Sequence, residues 1–474
     1  MARTDVPLPI ATSLATLRST CPVVYRRGRH FSRRRCPVIR LIFGFSLLIG
    51  LVVFAPAFAV ADGLVVQQLI ALSASVALVV TAAASRTADL KQAAEITRWL
   101  RFVAFIPAVW LLLQVVPLPN SMAHSIWTSA SVALQDRLLG HISVDPGRTI
   151  NSLVQYLAGG ALIVVSLLVF RDRRRAELML FAICASSTSM AIGLILARWG
   201  YLGSIEDGSS ADINETLVAI SMIGLLTNLA AAIRIVERYN GGHGQPQRVY
   251  RSAAVKFLVC VAAMALCLFA FVSVATLNVG IVAAFGVATF ASIQLVRRIE
   301  FSPWLTGVFF ATAVVAAAMI VAWRYDSARP VSMALQFATT TSSDALVPVQ
   351  RMISDAGWAG SGGGTFAVLL PIYREGDLSI SRAPTTAAAL TIEWGRPALV
   401  IAIAMTIQLA IALLLGALAR GRDSFFSAAA AACVVMMLGE AFCDASLLQS
   451  AVALTGEIVI GLGLAQSIGR AGAR

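Results

Sequence analysis

The sequence predicts an all-α integral membrane protein of about twelve transmembrane helices, with both termini cytoplasmic and one large outer loop between helices nine and ten. Three observations carry this prediction. The 474-residue chain is 58% hydrophobic and only 13% charged, with mean hydropathy +0.81, far from the ~45–50% apolar and ~25% charged make-up of soluble domains. Its apolar residues fall in runs of about 20, long enough to cross a ~30 Å hydrocarbon core as helix. Finally, arginine and lysine collect in alternate connections between these runs.

The runs lie near 41–60, 64–84, 99–116, 151–170, 176–196, 215–235, 256–276, 279–296, 304–323, 397–419, 425–443 and 450–468. They lack the alternation of barrel strands, and backbone groups in lipid have to be satisfied within the segment, so helix is the expected state. The division is a basic cytoplasmic tail over 1–38, spans one to nine over 39–323 with an outer loop at 117–150, a large outer loop over 324–396, and spans ten to twelve over 397–474.

The basic connections are the tail, Arg86 to Arg101, Arg171 to Arg175, Glu237 to Lys256, Arg297-Arg298, Arg420 to Arg422, and Arg470 with Arg474. The intervening ones, around Asp62, Asn120 to Arg148, Asp207 to Asp212, Leu277-Asn278, Arg324 to Arg396 and Asp444 to Gln449, are neutral, acidic or mixed. The net charge of +13 thus sets orientation rather than a nucleic-acid surface. Arg26 to Arg35 before the first span read as a retained anchor that touches anionic lipid. The 7 cysteines and 4 histidines show neither a disulfide framework nor metal-ligand spacing, so no metal or cofactor is expected.

Within the first outer loop, Met122, Ile126, Trp127, Ala130 and Leu134 have roughly helical spacing, which predicts a helix in the interface with its tryptophan at headgroup depth. His141 reads as a solvated residue four positions before Asp145. The large loop holds equal numbers of acidic and basic side chains. Its Gly360-Ser361-Gly362-Gly363-Gly364-Thr365 stretch is dense enough in glycine to predict positive φ at Gly362 and Gly364, with Ser361 tolerant of change. Arg351, Arg374, Arg382 and Arg396 suit phosphate oxygens, though Asp344, Asp355, Glu375, Asp377 and Glu393 are available to pair with them. Glu440 and Asp444 share a helix face near the outer end of span eleven, positioned either to snorkel or to hold a proton, and Glu457 lies in span twelve.

Several of these elements together resemble the O-antigen ligase and Wzy-type polymerase superfamily of bacterial envelope polysaccharide assembly. Ser143-Val144-Asp145-Pro146 with Thr149 is similar to its lead-in to span four, and Asp212-Ile213-Asn214 to its Asn-x-Asn element. Gly360-x-Gly362-x-Gly364-Thr365-Phe366 with Tyr373, and Glu393-x-Gly395, resemble its loop motifs. The resemblance implies a GT-C-like fold in the bacterial inner membrane and transfer of glycan from an undecaprenyl-diphosphate carrier at the periplasmic face, without metal or cofactor. Other polysaccharide-assembly proteins are the implied partners.

The same alignment exposes departures. The position of the family's histidine falls on Pro384, within Ala383-Pro384-Thr385, and proline accepts no proton. The family's Ser-Arg-Gly falls on Asn278-Val279-Gly280, and an Arg…Trp pair falls near Ser342 and Leu346. Glu393 and Arg374 are then the candidate catalytic groups. Arg351, Arg382, Arg396, Tyr373, Gly360, Gly362, Gly364, Thr365, Asn214 and Asp212 are the candidate substrate contacts. A lipid-linked sugar flippase or secondary transporter is the rival class. It calls for polar groups near midplane in several helices and no special outer loop, the opposite of the distribution in this sequence, and no internal repeat of the kind common in transporters stands out.

Overall fold

A computed structural model describes residues 35–85, 94, 98–119, 123–136, 138–199, 210–240, 247–299, 343–373, 383–419 and 424–467. Among these, the fold is helical, with no strand beyond one isolated bridge between Leu118 and Gly140. Nine of the described helices are long and apolar enough to cross a membrane, so the chain is a multi-pass helical membrane protein. The expected spans at 99–116 and 425–443 form helices over Arg98–Val115 and Ser424–Glu440, of which the apolar parts are Arg101–Val115 and Ser424–Glu440. The expected span at 304–323, the N-terminal tail, Arg374 and Arg382 lie outside the described residues.

In chain order the helices are α1 (Arg35–Val60), α2 (Leu64–Ala84), α3 (Arg98–Val115), α4 (Ser125–Leu134), α5 (Pro146–Val169), α6 (Arg173–Arg198), α7 (Ser210–Asn240) and α8 (Gln247–Val274). They continue with α9 (Leu277–Ile299), α10 (Ser343–Asp355), α11 (Phe366–Tyr373), α12 (Thr386–Trp394), α13 (Arg396–Ala419), α14 (Ser424–Glu440) and α15 (Ser450–Ser467). Helix α7 is the hub, with 83% of its apolar span buried, against 22% for α8 and 6% for α13. The outward faces of the latter two carry Leu258, Phe269, Val400 and Leu415 exposed, a surface that hydrocarbon covers without cost and water does not.

Contacts among the described residues join connections within each of the two sets defined by charge. In one set Ser450 at the start of α15 donates to Asp62, between α1 and α2, at 2.7 Å. In the other, Gln466 near the end of α15 donates to the Phe170 carbonyl that closes α5, and Arg234 of α7 pairs with Glu177 of α6. The large core of the bundle stops short of the loop elements. These have a satellite core of their own, in which Val349, Met352 and Ile353 of α10, Phe366, Leu369 and Leu370 of α11, and Ala388, Ala389 and Ile392 of α12 pack together with Val144.

Candidate functional site

Three segments that are distant in sequence meet at one hydrogen-bonded node: 143–149, 360–366 and 392–395. Each owes its place to local chemistry. Asp145 caps α5 by accepting the Arg148 N–H at 3.1 Å, and Pro146 follows at the first helical position, where its missing N–H costs nothing. Thr385 caps α12 by accepting the Ala388 N–H at 3.1 Å. Gly395, at φ 90°, breaks α12 from α13, and a Cβ there would strike the Trp358 carbonyl.

The glycine turn is built as its composition predicts, with φ 73° at Gly360, 109° at Gly362 and 74° at Gly364. A side chain at Gly360 would meet the Glu393 carbonyl, and one at Gly362 would meet Ser143 and Thr149. These close approaches let backbone bond to backbone: Ser361 N–H to Ile392 at 2.9 Å, Gly362 N–H to Glu393 at 2.8 Å, and Val144 N–H to the Ser361 carbonyl at 2.8 Å.

Hydroxyls fill the spaces that remain. Ser361 Oγ lies 2.8 Å from Thr365 Oγ1 and donates towards the Ile392 carbonyl at 3.0 Å, while Thr365 Oγ1 donates to the Gly362 carbonyl at 2.6 Å. Thr149 Oγ1 reaches Ser143 Oγ at 2.7 Å and the Gly363 carbonyl at 3.2 Å. Ser361, expected to tolerate change, is buried. Its hydroxyl is part of the turn.

Glu393 ends α12 with its carboxylate against the start of α11. Oε2 accepts the Gly364 N–H at 2.8 Å and Oε1 the Phe366 N–H at 3.1 Å, so the anion also satisfies free donors at a positive helix terminus. Burial pushes the carboxyl up to about 7, and the two backbone donors and the Arg148 charge pull the other way. Among the described residues, the cation whose charge reaches Glu393 is Arg148. Arg396 instead donates to the Ile353 carbonyl at 3.3 Å.

Reasoning from the sequence missed three residues of this node. Gln114 of α3 is fully buried and donates through Nε2 to the Ala359 and Glu393 carbonyls at 2.7 and 3.2 Å. Trp110, one turn earlier, donates to the Trp394 carbonyl at 2.8 Å. Arg148 completes the set. The signal for Gln114 was present, since an amide inside an apolar run is costly unless bonded.

The segment 117–150 also reaches the node. Trp127 of α4 is half-buried, donates to the Ser143 carbonyl at 3.0 Å and packs edge-on to His141 at 5.4 Å. His141 is half-buried with Nδ1 2.8 Å from the Val115 carbonyl, not solvated. His124 caps α4, and burial lowers its pKa.

Other expected site residues stand apart from the node. Tyr373 bonds to Asp355, with burial raising its phenol pKa, and Arg351 is exposed on α10. Asn214 is half-buried near the start of α7, where the Asp212 side chain lies outside the description. The Pro384 segment rests on the end of α14: Thr386 N–H donates to the Asp444 carbonyl at 2.9 Å and Ala387 N–H to Ala441 at 2.9 Å. Beneath it, Ser446 Oγ contacts Asp444 Oδ1 at 2.6 Å and Glu440 Oε1 at 3.1 Å. Both acids are buried, so neither snorkels. One hydroxyl supplies one proton, so the arrangement is complete when one carboxyl is itself protonated. Among the described residues no group of three or more His, Cys, Asp or Glu could hold a metal ion.

No family model matches the chain, and no curated protein matches it.

Proposed function

We propose that this chain is an O-antigen ligase/polymerase-like protein of the bacterial inner membrane that handles undecaprenyl-diphosphate-linked glycan at the periplasmic face during surface polysaccharide assembly. The observation that supports this reading most is the convergence of Ser143–Thr149, Gly360–Phe366 and Glu393–Gly395 on one node. These are the segments on which the sequence resemblance rests, and nothing in their spacing along the chain requires them to meet. In this reading the chain has twelve spans, its arginine-rich end faces the cytoplasm, and the node faces the periplasm.

The catalytic set differs from the histidine-based one. Pro384 offers no base, and both oxygens of Glu393 are committed to backbone donors. Glu393 is therefore a latch of the glycine turn, and the protein binds its carrier-linked glycan without the usual proton transfer. Arg148, exposed beside the turn and 3.5 Å from Asp145, joins Arg351 and Arg396 as a diphosphate contact. The test is the lipid-linked glycan profile of a deletion strain. Carrier-linked glycan should accumulate in the periplasmic leaflet, and an unchanged profile would oppose the proposal.

One observation favours a second reading, a lipid-linked sugar flippase or secondary transporter. Glu457 lies midway along α15, with its carboxyl against Gly159 of α5, at a depth where ionisable groups commonly serve transport. Accumulation confined to the cytoplasmic leaflet would select it.

A further inference from the structure

One face of α5 carries a file of polar groups that the glycine turn does not use. Asn151, Gln155 and Gly159 are spaced four apart, with Ser166 seven positions further on, so all four lie on one side of the helix. At its start the file meets α2, where Gln68 donates to Asn151 Oδ1 and Asn151 Nδ2 donates to Gln67 Oε1 at 3.3 Å. One turn along, Gln155 has a buried Nε2 without a hydrogen-bond partner. At the next turn Gly159 has no side chain, and the Glu457 carboxyl of α15 fills the place where a Cβ would stand.

Among the described residues no charge or hydrogen-bond donor acts on the Glu457 carboxyl. Helices α1, α5, α7, α13 and α14 all pack against α15, but their polar groups are engaged elsewhere. Tyr156 of α5 donates to the Ala104 carbonyl at 2.7 Å, Arg234 of α7 pairs with Glu177, and Glu440 of α14 contacts Ser446. A carboxylate so placed is costly unless a proton or a cation neutralises it. A hard cation needs about six oxygen ligands, whereas a proton needs only the carboxyl. The approach is also polar on one side only. Gln155 and Asn151 lie about 6 and 12 Å from the level of Gly159 along the helix axis, and Ser152 beside them borders Gly363 of the turn. In the other direction Leu162, fully buried, and Ile163 come before Ser166.

We propose that Glu457 is a proton-binding site, loaded from the glycine-turn end of α5 along Asn151 and Gln155. A hydronium ion entering along this face meets amide groups rather than hydrocarbon, and a water oxygen accepts the Gln155 N–H that lacks a partner. The hydronium gives its proton to one carboxylate oxygen and leaves as water; release reverses the step, and nothing is oxidised. Glu457 is the binding group and Gln155 a positioning residue. The contact between α5 and α15 closes over the uncharged carboxyl and loosens when the carboxylate forms, because the charge has no partner there. The site rests on neither reading of the glycan chemistry.

The test is infrared spectroscopy of the purified full chain in nanodiscs. The wild-type spectrum minus that of Glu457→Gln isolates this carboxyl from Glu393 and Glu440. It should show the C=O band of a protonated carboxyl that fades as pH is raised and shifts on transfer to heavy water. Should the amide impair folding, Glu457→Asp keeps a carboxyl, and its titration midpoint should move while the other carboxyl bands stay. Gln155→Leu, subtracted in the same way, should retain the band but exchange with heavy water at least about ten-fold more slowly, as expected on replacing a polar step by hydrocarbon. Gln155→Asn should exchange near the wild-type rate, which a purely structural role does not require. A difference band that ignores pH, no difference band at all, or wild-type exchange in Gln155→Leu would overturn the site.

Discussion

Glu393 accepts the Gly364 N–H at 2.8 Å while its other oxygen takes the Phe366 N–H at 3.1 Å, so one carboxylate closes the glycine turn and caps α11. Glu393→Gln keeps the shape but turns an amide N–H towards a backbone N–H. Leaving one buried donor unsatisfied should cost about 1–3 kcal/mol. A lowered midpoint in a detergent melt, with the helical spectrum retained, is the expected outcome.

The same carboxyl predicts a pH dependence. Its pKa rises from 4.5 to about 7 on burial, so between those values the folded state holds more proton than the unfolded one, and stability falls as pH rises. Below about 4.5 the contribution is flat, and above about 7 the loss is complete. Melts of wild type and Glu393→Gln across this range should diverge in slope, with the wild type the steeper.

Replacing Gly362 and Gly364 by valine places β-branched side chains at φ 109° and 74°, with the first colliding with Ser143 and Thr149. The backbone term alone is about 1–3 kcal/mol at each position, before any displacement of α5. The double variant should fail to complement a deletion and melt well below wild type. Normal complementation would show that the turn has another shape.

Ser361→Ala is a milder probe of the same turn. It deletes a hydroxyl shared by Thr365 and the Ile392 carbonyl, and should cost about 1 kcal/mol, read as a lower midpoint. No change in midpoint would restore the view of Ser361 as a passive spacer.

The two ends of the bundle should label from opposite sides of the membrane. In a background without the 7 native cysteines, Trp358→Cys, at an exposed position in the loop, should react with an impermeant maleimide in intact spheroplasts. Arg174→Cys should react only after lysis. The reverse pattern would invert the proposed topology.

What the sequence made legible follows from how local each signal is. Nine spans and the positive φ values of Gly362 and Gly364 depend on composition within a few residues, and both were readable. The helix at 99–116 forms at its expected length as Arg98–Val115, while the one at 425–443 is shorter because it gives way at Glu440 to the turn around Ser446. The role of Gln114 rests on partners 245 and 279 residues away, which no local pattern encodes. The partner of His141 was missed for a related reason: an imidazole serves solvent or a protein groove equally well, and only the Val115 carbonyl decides between them.

If the node receives carrier-linked glycan as proposed, the reconstituted protein binds it. Undecaprenyl-diphosphate-linked glycan should bind saturably in nanodiscs. Arg148→Ala, whose exposed side chain contributes little to folding, should weaken binding by about ten-fold. Binding by wild type that Arg148→Ala leaves unchanged, or no saturable binding at all, would contradict the claim.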